Sequence, residues 1–484
     1  RYLTSGESHG QSLISIIDGL PSNVELNFDE INAELKKRQC GYGRGGRMKI
    51  ESDKVNILGG VRGKKTLGGP VSIEVKNRDY QNWTEYMAPM DDVDFETRKV
   101  DNVRPGHADL VGCLKYDFAK ERGKKEDVLP LWVADMDFKT APAVTERLQK
   151  VVEHGIYGYS DSKEDYFAAV SGWYHDHFDW DVKPEWLVKT PGVVFALAAA
   201  VRAYTEKGDT VLIQQPVYYP FRQVIESNDR KLVSSDLVLK DGHYEIDFED
   251  FEAKIKEHQI HLFLFCSPHN PVGRVWKEWE LRKIGEICFK YQVTVVSDEI
   301  HSDFVYPGHK HHVFASVSPE FEQISVICTA PSKTFNLAGL QVSNIFIADE
   351  KLRQKFVRAV DQAGYSQVNL MGLVGCQAAY EEGEEWLLQL KEYLYQNLSF
   401  VREYLKENLP QIKLIEPEGT YLIWLDFGEL GLGRKELEAL IDQAGLWLDA
   451  GAIFGKTCIG FERINIACPR KTLEQAFLQL KKAV

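Results

Sequence analysis

Short, mostly apolar runs alternate with helix-period stretches over the greater part of this chain. Thr210–Ile213, His261–Cys266, Val293–Val296 and Ile324–Cys328 have the length and apolar density of strands, whereas Val193–Tyr204, Glu278–Tyr291 and Glu385–Leu409 carry the spacing of helices. A short apolar run without polar alternation suits a strand covered on both faces. The order from Leu129 onward therefore predicts an α/β fold, with βα units around a mainly parallel sheet and helices on both faces. Ligands of such sheets sit beyond the carboxyl ends of the strands, which makes the residues just after each run the candidates for chemistry.

Ile324–Cys328 is followed by TAPSKTFNLAGLQ, which delivers Lys333 among small and apolar neighbours. Burial there would lower the pKa of the amine, leaving it free to attack an aldehyde and later to act as a base; a snorkelling strand-end lysine is the competing reading. His261–Cys266 is followed by SPHNPVG, with Asn270 between prolines, and Val293–Val296 by SDEIHSD, with Asp298 at the strand end. Upstream, Thr190–Gly192 opens an alanine-rich helix whose first amides, at Gly192, Val193 and Val194, would form an anion site. QPVYYPF offers Tyr218 as an aromatic plate, with Tyr219 as the alternative. A Schiff-base lysine, an acid for a ring nitrogen, an amide for a phenolate, a stacking ring and a phosphate cradle together describe pyridoxal phosphate binding.

Composition narrows the class. The 484 residues suffice for two or three domains, and 44% apolar with 27% charged residues is ordinary for a globular protein. A formal charge of −14 argues against nucleic acid as a partner. The eight cysteines are scattered without a CxxC pair, and no apolar run has membrane-spanning length. With no signal peptide in view, a cytoplasmic, reduced protein without a membrane partner is expected. The chain opens on Arg1 rather than methionine, so its true start is expected upstream.

The first hundred residues read differently. RYLTSGESHG carries His9, CGYGRGGRM threads Arg44 and Arg47 through glycines as a cationic loop for phosphate or carboxylate, and RPGHADL carries His107. With KKTLGGPVSIEVKNRDYQNW, these stretches resemble in order the amino-terminal part of chorismate synthase. The resemblance implies proton transfer by His9 and His107, Arg44 and Arg47 near a substrate phosphate, and reduced FMN as cofactor. It stops near Gly112, and the part of that family with most FMN contacts and a catalytic aspartate has no counterpart. Residues 1–112 are thus expected to be a truncated, inactive α+β segment with open sheet edges and an uncovered apolar face, and FMN to be no cofactor of the whole. GCLKYDF runs from this segment into the next without a proline- or glycine-rich linker, which suggests a fusion.

From residue 113 to the end, LPLWVADMDF, HGIYGYS, PGVVFAL, PVYYPF, CSPHNPVGRVW, VSDEIHSD, APSKTFNLAGLQ, YLIWLDF and RINIACPR resemble the cystathionine β-lyase or cysteine-S-conjugate β-lyase branch of fold-type I pyridoxal phosphate enzymes. The resemblance implies a large cofactor domain at 161–370 and a small domain from 113–160 and 371–484. Lys333 would hold the cofactor aldehyde and take the Cα proton, Asp298 pair the ring nitrogen, Asn270 the phenolate oxygen, and Tyr218 stack on the ring. Arg463 would bind the substrate carboxylate, and Tyr159 would reach the phosphate of a neighbouring subunit, which requires a homodimer. Three positions depart from the broader aminotransferase pattern: His301 stands for a tyrosine, Ala330 for a phosphate-binding serine and Gln341 for an arginine. Ser332 and the helix amides are left as phosphate donors. His309, His311 and His312 read as a solvated surface turn rather than a metal site.

The implied reaction is β-elimination from a sulfur amino acid, giving a thiol, pyruvate and ammonia. Transamination by the same groups is one alternative. Others are a bifunctional protein with chorismate synthesis in the leader, and a binding role of the kind some relatives play in restraining a transcriptional activator.

Overall fold

The computed structural model describes residues 2–5, 12–39, 54–76 and 112–484. The chain forms two compact units, residues 1–93 and 94–484. In the first, Tyr2–Ser5, Ser12–Ile17, Val71–Lys76 and Val55–Gly59 make an antiparallel sheet in that order, and Ser22–Glu25, Lys65–Leu67 and Val61–Arg62 make a second. The helix Phe28–Gln39 begins after Asn27, whose side chain accepts from the amides of Asp29 and Glu30. Gly60, at φ +81°, turns the chain against Pro70, where any Cβ would collide with the Pro70 carbonyl. Thr66 and Val71 are the buried residues among those described here. His9, Arg44, Arg47 and His107 lie outside the described residues.

The second unit is organised by a seven-stranded sheet in the order Lys231–Ser234, Thr210–Ile213, Leu262–Cys266, Thr294–Asp298, Ser325–Thr329, Ser343–Phe346 and Leu187–Thr190. The first five strands run parallel, Ser343–Phe346 runs against them, and Leu187–Thr190, antiparallel to that strand, returns to their direction. Side chains alternate along a strand, and here both faces find an apolar core. Phe263, Phe265, Val295 and Ile327 pack into one core with the helix Glu278–Lys290. Leu262, Leu264, Val296 and Val326 pack into another with the helices Val193–Tyr204 and Glu350–Gln362. Burying each large side chain stabilises the sheet by about 2 kcal/mol, which explains why the runs are apolar throughout. Cys266, Asp298 and Cys328 are register partners, so three strands end at one level.

A smaller antiparallel sheet consists of Lys413–Ile415, Leu422–Asp426, Phe461–Asn465 and Asp449–Ala450. Leu446–Trp447 pairs with Leu129–Pro130, joining distant parts of the sequence. The segment after Pro130 is pinned by a buried ion pair, Lys115 Nζ to Asp137 Oδ1 at 2.8 Å. Among the described residues no helix is long and apolar enough to cross a membrane, and the seven described cysteines are free thiols.

Candidate active site

The level carboxyl ends of the parallel strands form the floor of a cavity of about 440 Å³. Its lining includes Lys333, Asp298, Asn270, Tyr218, His301 and Ser332, together with Gly192–Phe195 at the start of the alanine-rich helix. The strand Ser325–Thr329 hands over to a short helix, Pro331–Thr334, which Pro331 can open because it has no amide hydrogen to leave unpaired. Thr334 Oγ1 donates to Asp303 Oδ2 at 2.5 Å and fixes this turn. Asn336, at φ +57°, accepts from the Met136 amide and donates to the carbonyls of Met136 and Phe138. The Trp132–Phe138 segment is thereby drawn over the lysine. Lys333 Nζ donates to the Ala134 carbonyl at 3.2 Å, and the Tyr421 hydroxyl donates to the same oxygen at 2.9 Å.

Electrostatics follow from burial. Desolvation pulls the Lys333 ammonium below its usual range, and nearby Arg463 adds to this while Asp135 and Asp298 oppose it. Burial pushes the Asp298 carboxyl up to about 7, although the Ile300 amide donates to Oδ1 at 3.2 Å. The His301 imidazole is pushed down to about 3 by burial and by the cations Lys333 and Arg463, and its Nδ1 is buried without a partner. Such groups fit pyridoxal phosphate. A buried carboxylate short of donors would be relieved by a ring N–H⁺, and the lysine stands beside it with its charge disfavoured. The amides of Gly192–Val194 and the Ser332 side chain would hold the phosphate at the other end.

Arg463 lies behind the cavity wall. It sits mid-strand in Phe461–Asn465, opposite Asp449, which explains why the two meet. Its Nη1 donates to Asn270 Oδ1 at 2.9 Å and one Nη2 hydrogen to the Trp132 carbonyl at 2.9 Å; Nη2 also contacts the Asp449 carboxylate. Nε is buried without a partner. Asn270 thus connects the guanidinium to the cavity. Tyr159 is elsewhere: it is 98% exposed and lines a separate cavity with Tyr157, Gly364 and Asn369, which meets the first only through Gln341.

One sequence expectation is corrected. His311 is no part of a solvated turn: its ring is buried, with Nε2 2.8 Å from Glu299 Oε2, while Ser297 Oγ and the Phe314 amide donate to Oε1. A carboxylate buried at the strand end needs donors, and the loop folds inward to supply one. His309 stays near the surface, 3.7 Å from Glu418. Sequence reasoning gave no role to Ala134, Trp132, Tyr421 or Asp449. The single acidic residue in the apolar run LWLDAG was the available signal for Asp449.

Residues 126–480 match the model of the class I and II aminotransferases, and residues 1–127 that of chorismate synthase. Cystathionine β-lyase PatB of Bacillus subtilis (strain 168) is 43% identical over 372 residues, which span 77% of this chain and 96% of that protein. The crystal structure of cystalysin from Treponema denticola, which contains a pyridoxal 5′-phosphate cofactor, matches with a TM-score of 0.75 and 40% identity, covering 78% of this chain and 96% of that one. The leader is 58% identical over 118 residues to chorismate synthase of Alkaliphilus metalliredigens (strain QYMF), of which it spans 31%.

Proposed function

The chain belongs to the class I and II aminotransferase family, in a branch that uses pyridoxal 5′-phosphate, and from this premise we propose that it is a carbon–sulfur β-lyase. Its substrates in this reading are cystathionine or other cysteine S-conjugates, and its products a thiol, pyruvate and ammonia. The observation that carries the reading is the buried Lys333, its ammonium disfavoured, sharing one cavity with Asp298 and Asn270, with Arg463 behind Asn270. The 43% identity to a cystathionine β-lyase supports elimination over transamination.

Arg463, whose Nη1 reaches the cavity residue Asn270, takes the substrate α-carboxylate. That grip aims the Cα–H bond at Lys333 Nζ, an amine that accepts a proton because burial has weakened its hold on one. Bound pyridoxal phosphate supplies the electron sink for charge that builds on Cα. The Cβ–S bond then breaks with its electron pair on sulfur, the thiolate picks up a proton, and the three-carbon enamine left behind hydrolyses to pyruvate and ammonia. Asp298, once ionised, would hold the ring nitrogen of the bound cofactor and keep it protonated. Tyr218 would pack on the ring, and the helix amides with Ser332 would hold the phosphate. We assign Tyr159 to the phosphate of a second subunit, which makes the working form a homodimer. The leader is given no catalytic part.

The test is L-cystathionine added to the full chain loaded with pyridoxal phosphate, with pyruvate detected and no keto-acid acceptor present. Pyruvate release is expected. A yellow protein that turns over only when an acceptor is supplied would be an aminotransferase, and the lyase reading would be withdrawn.

A further inference from the structure

Trp132 carries two guanidinium groups. Its carbonyl accepts from Arg463 Nη2 at 2.9 Å, and its ring, stacked on Trp447 at 4.6 Å, has Arg122 over it with Cζ 4.9 Å from the ring centre. The tryptophan is itself fixed, since it is buried and its Nε1 donates to the Lys115 carbonyl. Arg122 belongs to a turn segment held by backbone bonds from its amide to Phe118 and Ala119 and by the buried Lys115–Asp137 pair. Unlike Arg463, it is exposed, and it makes no ion pair among the described residues. Tyr219, which adjoins the cavity residue Tyr218 at 5.3 Å between ring centres, reports on both cations. Burial and Asp449 push its phenol up, while Arg463 and Arg122 both pull it back. An inner guanidinium, already shared with Asp449 and Asn270, thus lies one tryptophan away from an exposed one.

We propose that Arg122 is a specificity-determining residue that receives a second carboxylate, carried on the thiol half of the substrate. The inference rests on the β-lyase reading and sharpens its substrate class to thioethers that join two amino acids, in preference to uncharged S-alkyl cysteines. The α-carboxylate on the reacting half goes to Arg463. The carboxylate on the leaving half, which extends away from Cβ towards solvent, reaches the exposed guanidinium. Stacking on Trp132 holds that fork in one plane before substrate arrives, which lowers the entropic cost of using a long side chain at the rim.

The test compares kcat/KM for L-cystathionine and for S-ethyl-L-cysteine in the full-length, cofactor-loaded protein and its Arg122→Gln and Arg122→Lys variants. Arg122→Gln is expected to lose about tenfold on cystathionine, mostly in KM, and to stay within about twofold on S-ethylcysteine. Arg122→Lys, which keeps the charge but not the fork, should fall between. Equal losses on both substrates would mean that Arg122 acts only through the placement of Trp132, and unchanged values on both would mean that it touches neither; each overturns the proposal. Failure of the unsubstituted protein to release pyruvate from either thioether would remove the β-lyase reading itself, and this proposal with it.

Discussion

The two units treat their strands differently. In the leader, Leu13, Leu58 and Leu67 remain about half exposed, and Thr66 and Val71 are the buried residues among those described. In the second unit, Leu262–Cys266 and Ser325–Thr329 are buried at every position. The electrostatics diverge accordingly. Among the leader's described residues the shifted group is Glu74, partly exposed on its strand and lowered first by its hydrogen bond from Asn56. The shifts at Lys333, Asp298 and His301 come first from desolvation. Reactive amines and carboxyls need a dry surround, and in the second unit the sheet covered on both faces provides one. The leader spans about 31% of the chorismate synthase it matches.

This contrast can be broken most directly at Lys333. Lys333→Ala should lower pyruvate formation about ten-thousandfold and remove the bound cofactor's yellow band, while far-ultraviolet circular dichroism stays unchanged. An active Lys333→Ala protein would place the chemistry elsewhere.

The next largest effect concerns Asp298 in the cofactor-free protein. Its carboxyl titrates near 7 when folded and near the ordinary 3.8 when unfolded, so between these values the folded state holds a proton that the unfolded state has lost. Stability should therefore fall as pH rises from about 4 to about 7, by roughly 4 kcal/mol from this group alone. Asp298→Asn should flatten that slope in urea midpoints measured at pH 5 and pH 7.5. No difference in slope would show that the carboxylate is better solvated than its burial implies.

A smaller change is expected from Arg463→Lys. The ammonium cannot reproduce the fork that reaches Asn270, Trp132 and Asp449, and kcat/KM should drop between about tenfold and a hundredfold, chiefly through KM. The visible band should persist, separating substrate binding from cofactor binding. At the other end of the scale, the double substitution His9→Ala/His107→Ala should leave pyruvate release unchanged. Reduced FMN with an enolpyruvyl shikimate phosphate should yield no phosphate from the unsubstituted chain. Phosphate release there would restore the leader to a catalytic role.

Much of the second unit was readable in advance because its information is local. An apolar run of strand length followed by a proline, an asparagine or an acid marks a strand end wherever it occurs, and Asn270, Asp298 and Lys333 were found in that way. The loop 309–312 misled because four polar residues beside Pro307 and Gly308 look solvated, while the demand that buries His311 comes from Glu299, twelve residues earlier and just past the end of a covered strand. Tyr159 is a different case: its role was implied by the family resemblance and assigned to a neighbouring subunit, and within its own chain it is 98% exposed.

Local sequence set four central strands of the sheet, their ends and the residue types offered there, since periodicity and turn chemistry act over a few residues. The tertiary structure decided what those residues feel. Ala134 meets Lys333 across 199 residues, Trp132 meets Arg463 across 331, and Asp449 meets Arg463 because two short strands pair in one register. Burial, and with it every shifted pKa in the site, is a property of such long-range packing. No local pattern encodes it, because the cost of desolvating a charge depends on everything that surrounds it.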